Sequence, residues 1–309
     1  MSSQLPIGIG SRESQAVFLR ENEEFTREYP KLHDLLTRVF IRGLTLPDEE
    51  EAERMRKLPE DDPAATAFED KLTAERIIFY LGRISVDDFG EVLMLSGNGY
   101  GFGAQKIVRG MYERVVTAMY IAQHPAEARK FVLQSAIDKF KLWERTVAAF
   151  PEMAARATEE QINSLVQDNK DARDQLREPV CKRCKQPLPD GPWTRLGLDV
   201  MAKDVDEGLH RLYGQFYLEG TAQSHANSLG MERRLKRAAT GGWTYKDTSE
   251  EEGKFALNLG HILVLKMLKL QNEYFRLSLD AEVEERVQAY VIIWKPVGTP
   301  ASETPQAGS

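Results

Sequence analysis

An all-α bundle of about seven to nine helices is what this sequence predicts, and three observations predict it. Apolar residues recur at helical spacing over most of the chain. The period-two alternation of a half-buried strand is nearly absent. The 309 residues, 42% hydrophobic and 29% charged, supply ample core and the polar surface of an ordinary soluble globular protein.

The elements follow in order. Phe25, Tyr29, Leu32, Leu36 and Val39 step by four and three, so they line one helix face. Pro30 falls inside that run and predicts two short helices, with Pro30 in the first turn of the second. The acidic stretch "LPDEEEAERMRKLPEDDP" (46–63), bracketed by prolines, reads as a boundary or exposed loop. Phe68, Leu72, Phe79, Phe89 and Val92 mark a long helix from Ala64 to Leu95. Ala104, Val108, Met111, Val115, Met119 and Ala122 mark a second, closed by His124-Pro125. Val132, Ala136, Phe140, Trp143 and Val147 mark a third, stopped near Pro151.

Residues 151–198 depart from this pattern. A charge-rich helix passes into "REPVCKRCKQPLPDGPW", with four prolines and both cysteines, an excursion from the core placed at about 168–198. Helical spacing resumes through Val205, Leu209, Leu212, Phe216 and Tyr217 and is expected to break at Gly220. A long connection with the basic run Arg233, Arg234, Lys236 and Arg237 leads to a final pattern from Glu250 to Leu279. Its "HILVLKML" is apolar nearly all round, as in a helix at the middle of a bundle. The predicted division is an N-terminal segment and linker (1–63), a main bundle (64–294) and a disordered tail (295–309). No internal repeat is present.

Composition limits the function classes. A formal charge of −7 argues against a surface that tracks nucleic acid throughout, and leaves room for a local basic patch. No apolar run approaches the ~20 residues that span a bilayer, so no membrane role is expected. The N-terminus has neither the basic start nor the apolar stretch of a signal peptide, and two cysteines are no disulfide framework. These features predict a cytoplasmic protein.

The glycine run "LSGNGYGFGAQ" raises the question of a phosphate cradle. A Walker loop needs Lys and Ser or Thr after the last glycine, whereas Gly103 is followed by Ala-Gln-Lys-Ile. A dinucleotide fingerprint needs a preceding strand, and the flanks are helical. The run is therefore expected to end one helix and aim the next. In that next helix the apolar positions cluster within about 60° of Val108, and Arg109, Tyr120 and Glu113 form a polar stripe on the shoulder of the buried face.

The segment "NGYGFGAQKIVRGMYERVVTAMYIAQHPAEARKF", followed later by "SHANS", resembles an uncharacterised bacterial helical family known only as a domain of unknown function. The resemblance covers roughly residues 65–280. In this sequence its marked positions are Arg109, Glu113, Tyr120, Pro125, Arg129, Ser224 and His225, and it carries no established activity. A fainter likeness is to the HEPN bundles, which include toxin and defence ribonucleases using Arg-(x)4–6-His. Here no Arg stands four to seven residues before His225, and Arg211 lies fourteen upstream.

Candidate chemistry follows from these residues. Arg109, Glu113 and His225 make an acid/base set if the fold brings them together, since His titrates near neutrality. Tyr120, Arg129, Ser224 and Asn227 are candidate binding residues. His124 and His210 carry no partner pattern, and His261 on the apolar helix is expected to be a satisfied core residue. Cys181 and Cys184 have the spacing of one zinc knuckle, with two histidines or a second subunit needed to complete a site; otherwise no cofactor is expected. The basic run 233–237, with Trp243 and Tyr245 behind it, is either solvated surface or an RNA contact. Two functions remain open: a helical interaction module that binds a protein partner or forms a homo-oligomer, and a ribonuclease-type defence or toxin protein using Arg109, Glu113 and His225.

Overall fold

The structure is a computed structural model that describes residues 12–43, 49–59, 62–176, 193–238, 241–245 and 250–294. It is all-helical apart from one short hairpin. Helices α1 (Arg12–Glu21), α2 (Glu23–Gly43), α3 (Glu49–Arg56), α4 (Pro63–Gly97), α5 (Gly101–Gln123), α6 (Ala128–Ala149) and α7 (Glu159–Leu176) come first. Then come α8 (Leu198–Val205), α9 (Glu207–Arg211), a π-turn over Gly214–Leu218, α10 (Glu219–Ser224), α11 (Ser228–Glu232), β1 (Leu235–Arg237), β2 (Trp243–Tyr245), α12 (Glu250–Tyr274) and α13 (Asp280–Ile293). Ten of these helices have seven or more residues, slightly above the expected seven to nine. The excess lies in two-turn helices such as α3 and α8, which are too short to show a period.

Three expectations are corrected. Pro30 does not split α2, which runs unbroken for 21 residues. Pro30 sits on the exposed side, so the carbonyl left without an N–H donor opens away from the core while Phe25, Leu32, Leu35, Leu36 and Val39 stay buried. Gly220 does not end its helix, which continues to Ser224. A Cβ at Gly220 would lie 2.6 Å from Arg109 Cβ and 2.7 Å from the Gln105 carbonyl oxygen, so glycine serves close helix approach there. The basic run was expected in an open connection, but Leu235–Arg237 pairs antiparallel with Trp243–Tyr245. Three-residue strands are too short for alternation to be visible.

The described residues cluster into two compact units, and α4 and α5 contribute to both. The first draws on 1–45, 81–115 and 212–309. Its core is Phe25 and Leu32 of α2, Phe89 and Val92 of α4, Val108, Met111 and Tyr112 of α5, and Leu257, Leu263, Val264 and Leu268 of α12, each with 2% exposure or less. The "HILVLKML" segment is buried as expected except for Ile262 and Lys266, which are half-buried. Arg286 of α13 and Glu28 of α2 form a buried ion pair. Asn272 closes the α12–α13 turn, donating to Asp280 Oδ1 at 3.0 Å and accepting from the Leu279 N–H at 2.9 Å.

The second unit draws on 46–80 and 116–211. Phe68, Ala74, Ile78 and Phe79 of α4, Val116, Ala118 and Ile121 of α5, Ile137 of α6, Ala172 of α7, Ala202 of α8 and Leu209 of α9 form its core. No helix among the described residues is long and apolar enough to cross a membrane.

Candidate functional site

The glycine run builds the site by ending α4 and starting α5. Gly99 has φ of 81°. Its N–H donates to the Ser96 carbonyl at 3.1 Å, and the Tyr100 N–H donates to the Leu95 carbonyl at 2.8 Å. That pair of bonds, with glycine in the left-handed region, is a Schellman helix stop. Gly101, first residue of α5, lies against the first turn of α12. A Cβ there would sit 2.5 Å from the Glu252 carbonyl carbon and closer still to the Gly253 nitrogen. One turn on, Gln105 Nε2 donates to Glu252 Oε2 at 2.5 Å. The close approach permitted by Gly101 is what brings those two side chains together.

Around this junction, within the first unit, lies a cavity of about 170 Å³. Its walls are Phe102 and Gln105 of α5, Gln215, Glu219 and Gln223 of the π-turn and α10, Arg233, and Glu252 and Phe255 of α12. Gln105 is 4% exposed and Gln223 8%. Glu219 pairs with Arg233. Arg234 stacks its guanidinium 4.5 Å from the centre of the Phe102 ring and donates to Gln223 Oε1 at 3.3 Å and to the Tyr245 hydroxyl at 3.0 Å. A guanidinium only donates, so the contact fixes which end of the Gln223 amide is oxygen. The other end, Nε2, is buried without a hydrogen-bond partner among the described residues.

Next along α5 comes the predicted Arg109–Glu113 pair. Arg109 Nη2 lies 3.1 Å from Glu113 Oε1 and 3.3 Å from the Tyr217 hydroxyl, with the guanidinium carbon 4.9 Å from the Tyr217 ring centre. Burial opposes the charge of Arg109, while Tyr217 and Glu113 outweigh it and raise its pKa above the ordinary value. Tyr217 in turn stacks on Tyr213 at 5.1 Å, and Phe216 stacks on the fully buried Tyr112 at 5.3 Å. Tyr213 and Tyr217 stand four residues apart across the π-turn, on one face, and Phe216 is buried between them in sequence.

The other predicted residues are placed as follows. His225 is exposed, and no hydrogen bond, ion pair or ring contact joins it to Arg109 or Glu113 among the described residues. Ser224 Oγ donates to the Gly220 carbonyl at 2.7 Å, an internal helix contact. Asn227 Oδ1 accepts from the Gly230 N–H at 2.8 Å and caps α11. Tyr120 and Arg129 belong to the second unit. Tyr120 is 8% exposed and packs against His124 and Trp193; Arg129 lies 3.5 Å from Asp70 Oδ1.

His124 Nε2 lies 2.7 Å from Asp204 Oδ2, and His210 Nδ1 lies 3.9 Å from Glu207. His261 is only half satisfied: Trp294 Nε1 donates to its Nδ1 at 3.0 Å, while Nε2 is buried without a partner among the described residues. Burial pushes its pKa down to about 3. Cys181 and Cys184 lie outside the described residues, as does Lys236 as a side chain.

The sequence reading missed Phe102, Gln105, Gln223, Glu252 and Tyr217. A signal was available for Gln105, which stands four residues before Arg109 as Arg109 stands four before Glu113, so the polar stripe begins one turn earlier than drawn. Gln223 adjoins the Ser-His pair that drew attention to that segment. Nothing in the sequence pointed to Glu252.

Comparison with known proteins agrees with the resemblance seen in the sequence. Residues 75–242, more than half of the chain, match the model of a family of unknown function (DUF5677), and the chain belongs to that family. No curated protein and no solved structure matches it.

Proposed function

We propose that this member of the family is a recognition module, and that it takes a small ligand group into the cavity where α5, α10 and α12 meet. One observation carries the reading. Gln223 lines the cavity, its amide is held by Arg234 through the oxygen, and its buried Nε2 is a donor without an acceptor among the described residues. An unmet buried donor costs ~1–3 kcal/mol, a cost that a bound acceptor atom removes. Binding is favoured over catalysis because the groups suggested for acid/base work have other employment. Arg109 holds both Glu113 and the Tyr217 hydroxyl, and no hydrogen bond, ion pair or ring contact joins the exposed His225 to either acid/base partner among the described residues; of the candidate binding residues, Ser224 and Asn227 bond backbone groups.

The test has two arms. Side-chain amide resonances of Gln105 and Gln223, assigned through Gln→Leu variants of ¹⁵N-labelled protein, are followed against neutral amides, carboxylates and nucleosides. A shift at Gln223 supports the cavity as the binding site. Binding that leaves both amides unmoved refutes it. In the second arm a fluorogenic RNA is incubated with wild type and His225→Ala, and both are expected to match the buffer blank. Cleavage that disappears in His225→Ala would establish the ribonuclease alternative.

A further inference from the structure

We propose that the ligand group is an uncharged nucleobase, offered by a free nucleoside or, better, by a single strand that also lies on the β1–β2 hairpin. The inference rests on the recognition reading above and names the chemistry of that same site.

The walls favour an uncharged group. Glu219 pairs with Arg233, and the Glu252 carboxylate accepts from Gln105, so the charged groups of the lining are already engaged with partners. The groups that remain for recognition are neutral amides. Gln223 Nε2 requires an acceptor, and the exposed Gln215 at the rim has both a donor and an acceptor. An edge carrying ring nitrogens, carbonyls and amino groups satisfies such a set, as base edges do in protein recognition of unpaired strands.

Shape points the same way. Phe102 and Phe255 both line the cavity. The Phe102 ring already carries a flat guanidinium, from Arg234, on one side. Pockets for drug-sized ligands run to roughly 300–1,000 Å³, so about 170 Å³ has room for one ring system and little more.

The surroundings favour a strand over a free nucleoside. Arg234 links the cavity to the hairpin, touching Gln223 and Phe102 on one side and the Tyr245 hydroxyl on the other. On the hairpin Trp243 is 69% exposed and Tyr245 58%, large rings in water where stacking on bases would cover them. Arg237 is exposed and is the direct cross-strand partner of Trp243, so a cation stands beside the ring where a phosphate would follow a stacked base. The formal charge of −7 confines such an interface to this local patch.

Full-length ¹⁵N-labelled protein is titrated with adenosine, guanosine, cytidine and uridine, with single-stranded tetranucleotides of each, and with acetamide and acetate as non-heterocyclic probes. At least one nucleoside is expected to move the Gln223 side-chain resonance, and its tetranucleotide to bind about tenfold tighter. Trp243→Ala should remove the tenfold gain and leave nucleoside affinity unchanged. Gln223→Glu, which keeps the shape and the Arg234 contact but replaces the donor with an acceptor, should abolish both, with circular dichroism and melting temperature reporting the fold. Gln223→Leu repeats the test if Gln223→Glu fails to fold. If acetamide or acetate moves Gln223 and no nucleoside does, the nucleobase assignment falls while the recognition reading stands. If no probe of any class moves it, both fall. Nucleotide binding that survives the Gln223 variants also overturns the inference.

Discussion

Replacing the glycines at 97, 99, 101 and 103 one at a time by alanine separates the jobs this turn performs. At Gly101 the added Cβ would lie 2.5 Å from the Glu252 carbonyl carbon and closer to the Gly253 nitrogen, and both are backbone atoms that cannot rotate aside. Overpacking costs ~1–3 kcal/mol, and main-chain contact on both sides puts Gly101→Ala near 3 kcal/mol. At Gly99, with φ of 81°, alanine enters the left-handed region, which costs ~1–2 kcal/mol. At Gly103 the nearest atom to a new Cβ is Leu95 Cδ1 at 3.7 Å, an ordinary contact inside a helix, so alanine gains ~0.5–1 kcal/mol from lower backbone entropy in the unfolded chain. Gly97→Ala, whose Cβ would rest 3.5 Å from Phe18, should change little. Urea unfolding followed by circular dichroism gives each value from the midpoint at constant slope. The expected order from least to most stable is 101, 99, 97, 103. A Gly101→Ala variant within about 0.5 kcal/mol of wild type, or a Gly103→Ala variant as damaged as Gly101→Ala, would refute the close-approach account.

Four further predictions use the same measurement. Burial, outweighing Arg114 at 2.6 Å, pushes Asp88 up to about 6, so its protonated form favours folding: that contribution of about 3 kcal/mol is full below the unfolded value near 4 and lost as pH rises through 6. His261, held near 3, acts oppositely and costs stability as pH falls below about 6.5, so Asp88→Asn should make the protein more acid-labile and His261→Asn less so; parallel pH profiles for the two variants would contradict this. Arg286→Leu, which leaves the buried Glu28 with the exposed Lys31 at 3.6 Å as its remaining ion-pair partner among the described residues, should cost ~3 kcal/mol, and adding Glu28→Leu should restore most of it. Asn227→Ala should cost ~1 kcal/mol and Asn227→Asp nearly nothing, as for a helix cap; a larger effect on nucleoside affinity than on stability would instead make Asn227 a ligand contact. Arg109→Lys loses the fork that reaches both Glu113 and Tyr217 and should lower stability by ~1 kcal/mol, with unchanged stability as the contrary result.

The fold class and the long helices were legible because α4, α5, α6 and α12 each repeat their apolar pattern over six turns or more. What was not legible depends on where a residue ends up. Pro30 reads as a break unless one knows that its side of α2 faces outward. Gly220 reads as a stop unless one knows that Arg109 and Gln105 crowd it. For the site, the sequence supplied the Arg109–Glu113 pair because i,i+4 neighbours on one helix are a local property. Gln105 and Glu252 are 147 positions apart and meet only because Gly101 lets two backbones nearly touch, a contact between helices that no local pattern encodes.

That contact has counterparts beside other polar groups. Five buried side-chain atoms lack hydrogen-bond partners among the described residues, and three of them belong to residues at or next to close glycine contacts of the first unit: Ser96 Oγ (Gly253), Arg109 Nε (Gly220) and Gln223 Nε2, whose neighbour Ala222 meets Gly230. Each carries a desolvation cost of ~1–3 kcal/mol that an apolar side chain of similar shape would avoid. Gly253 packs its backbone 3.2 Å, measured from an ideal Cβ position, from the Ser96 carbonyl; Gly220 does the same work against Arg109. The rest of this core is mostly filled by apolar side chains in contact with one another. Here close backbone approaches of the first unit lie beside three of its unmet polar groups, the juxtaposition that supports the proposed binding cavity.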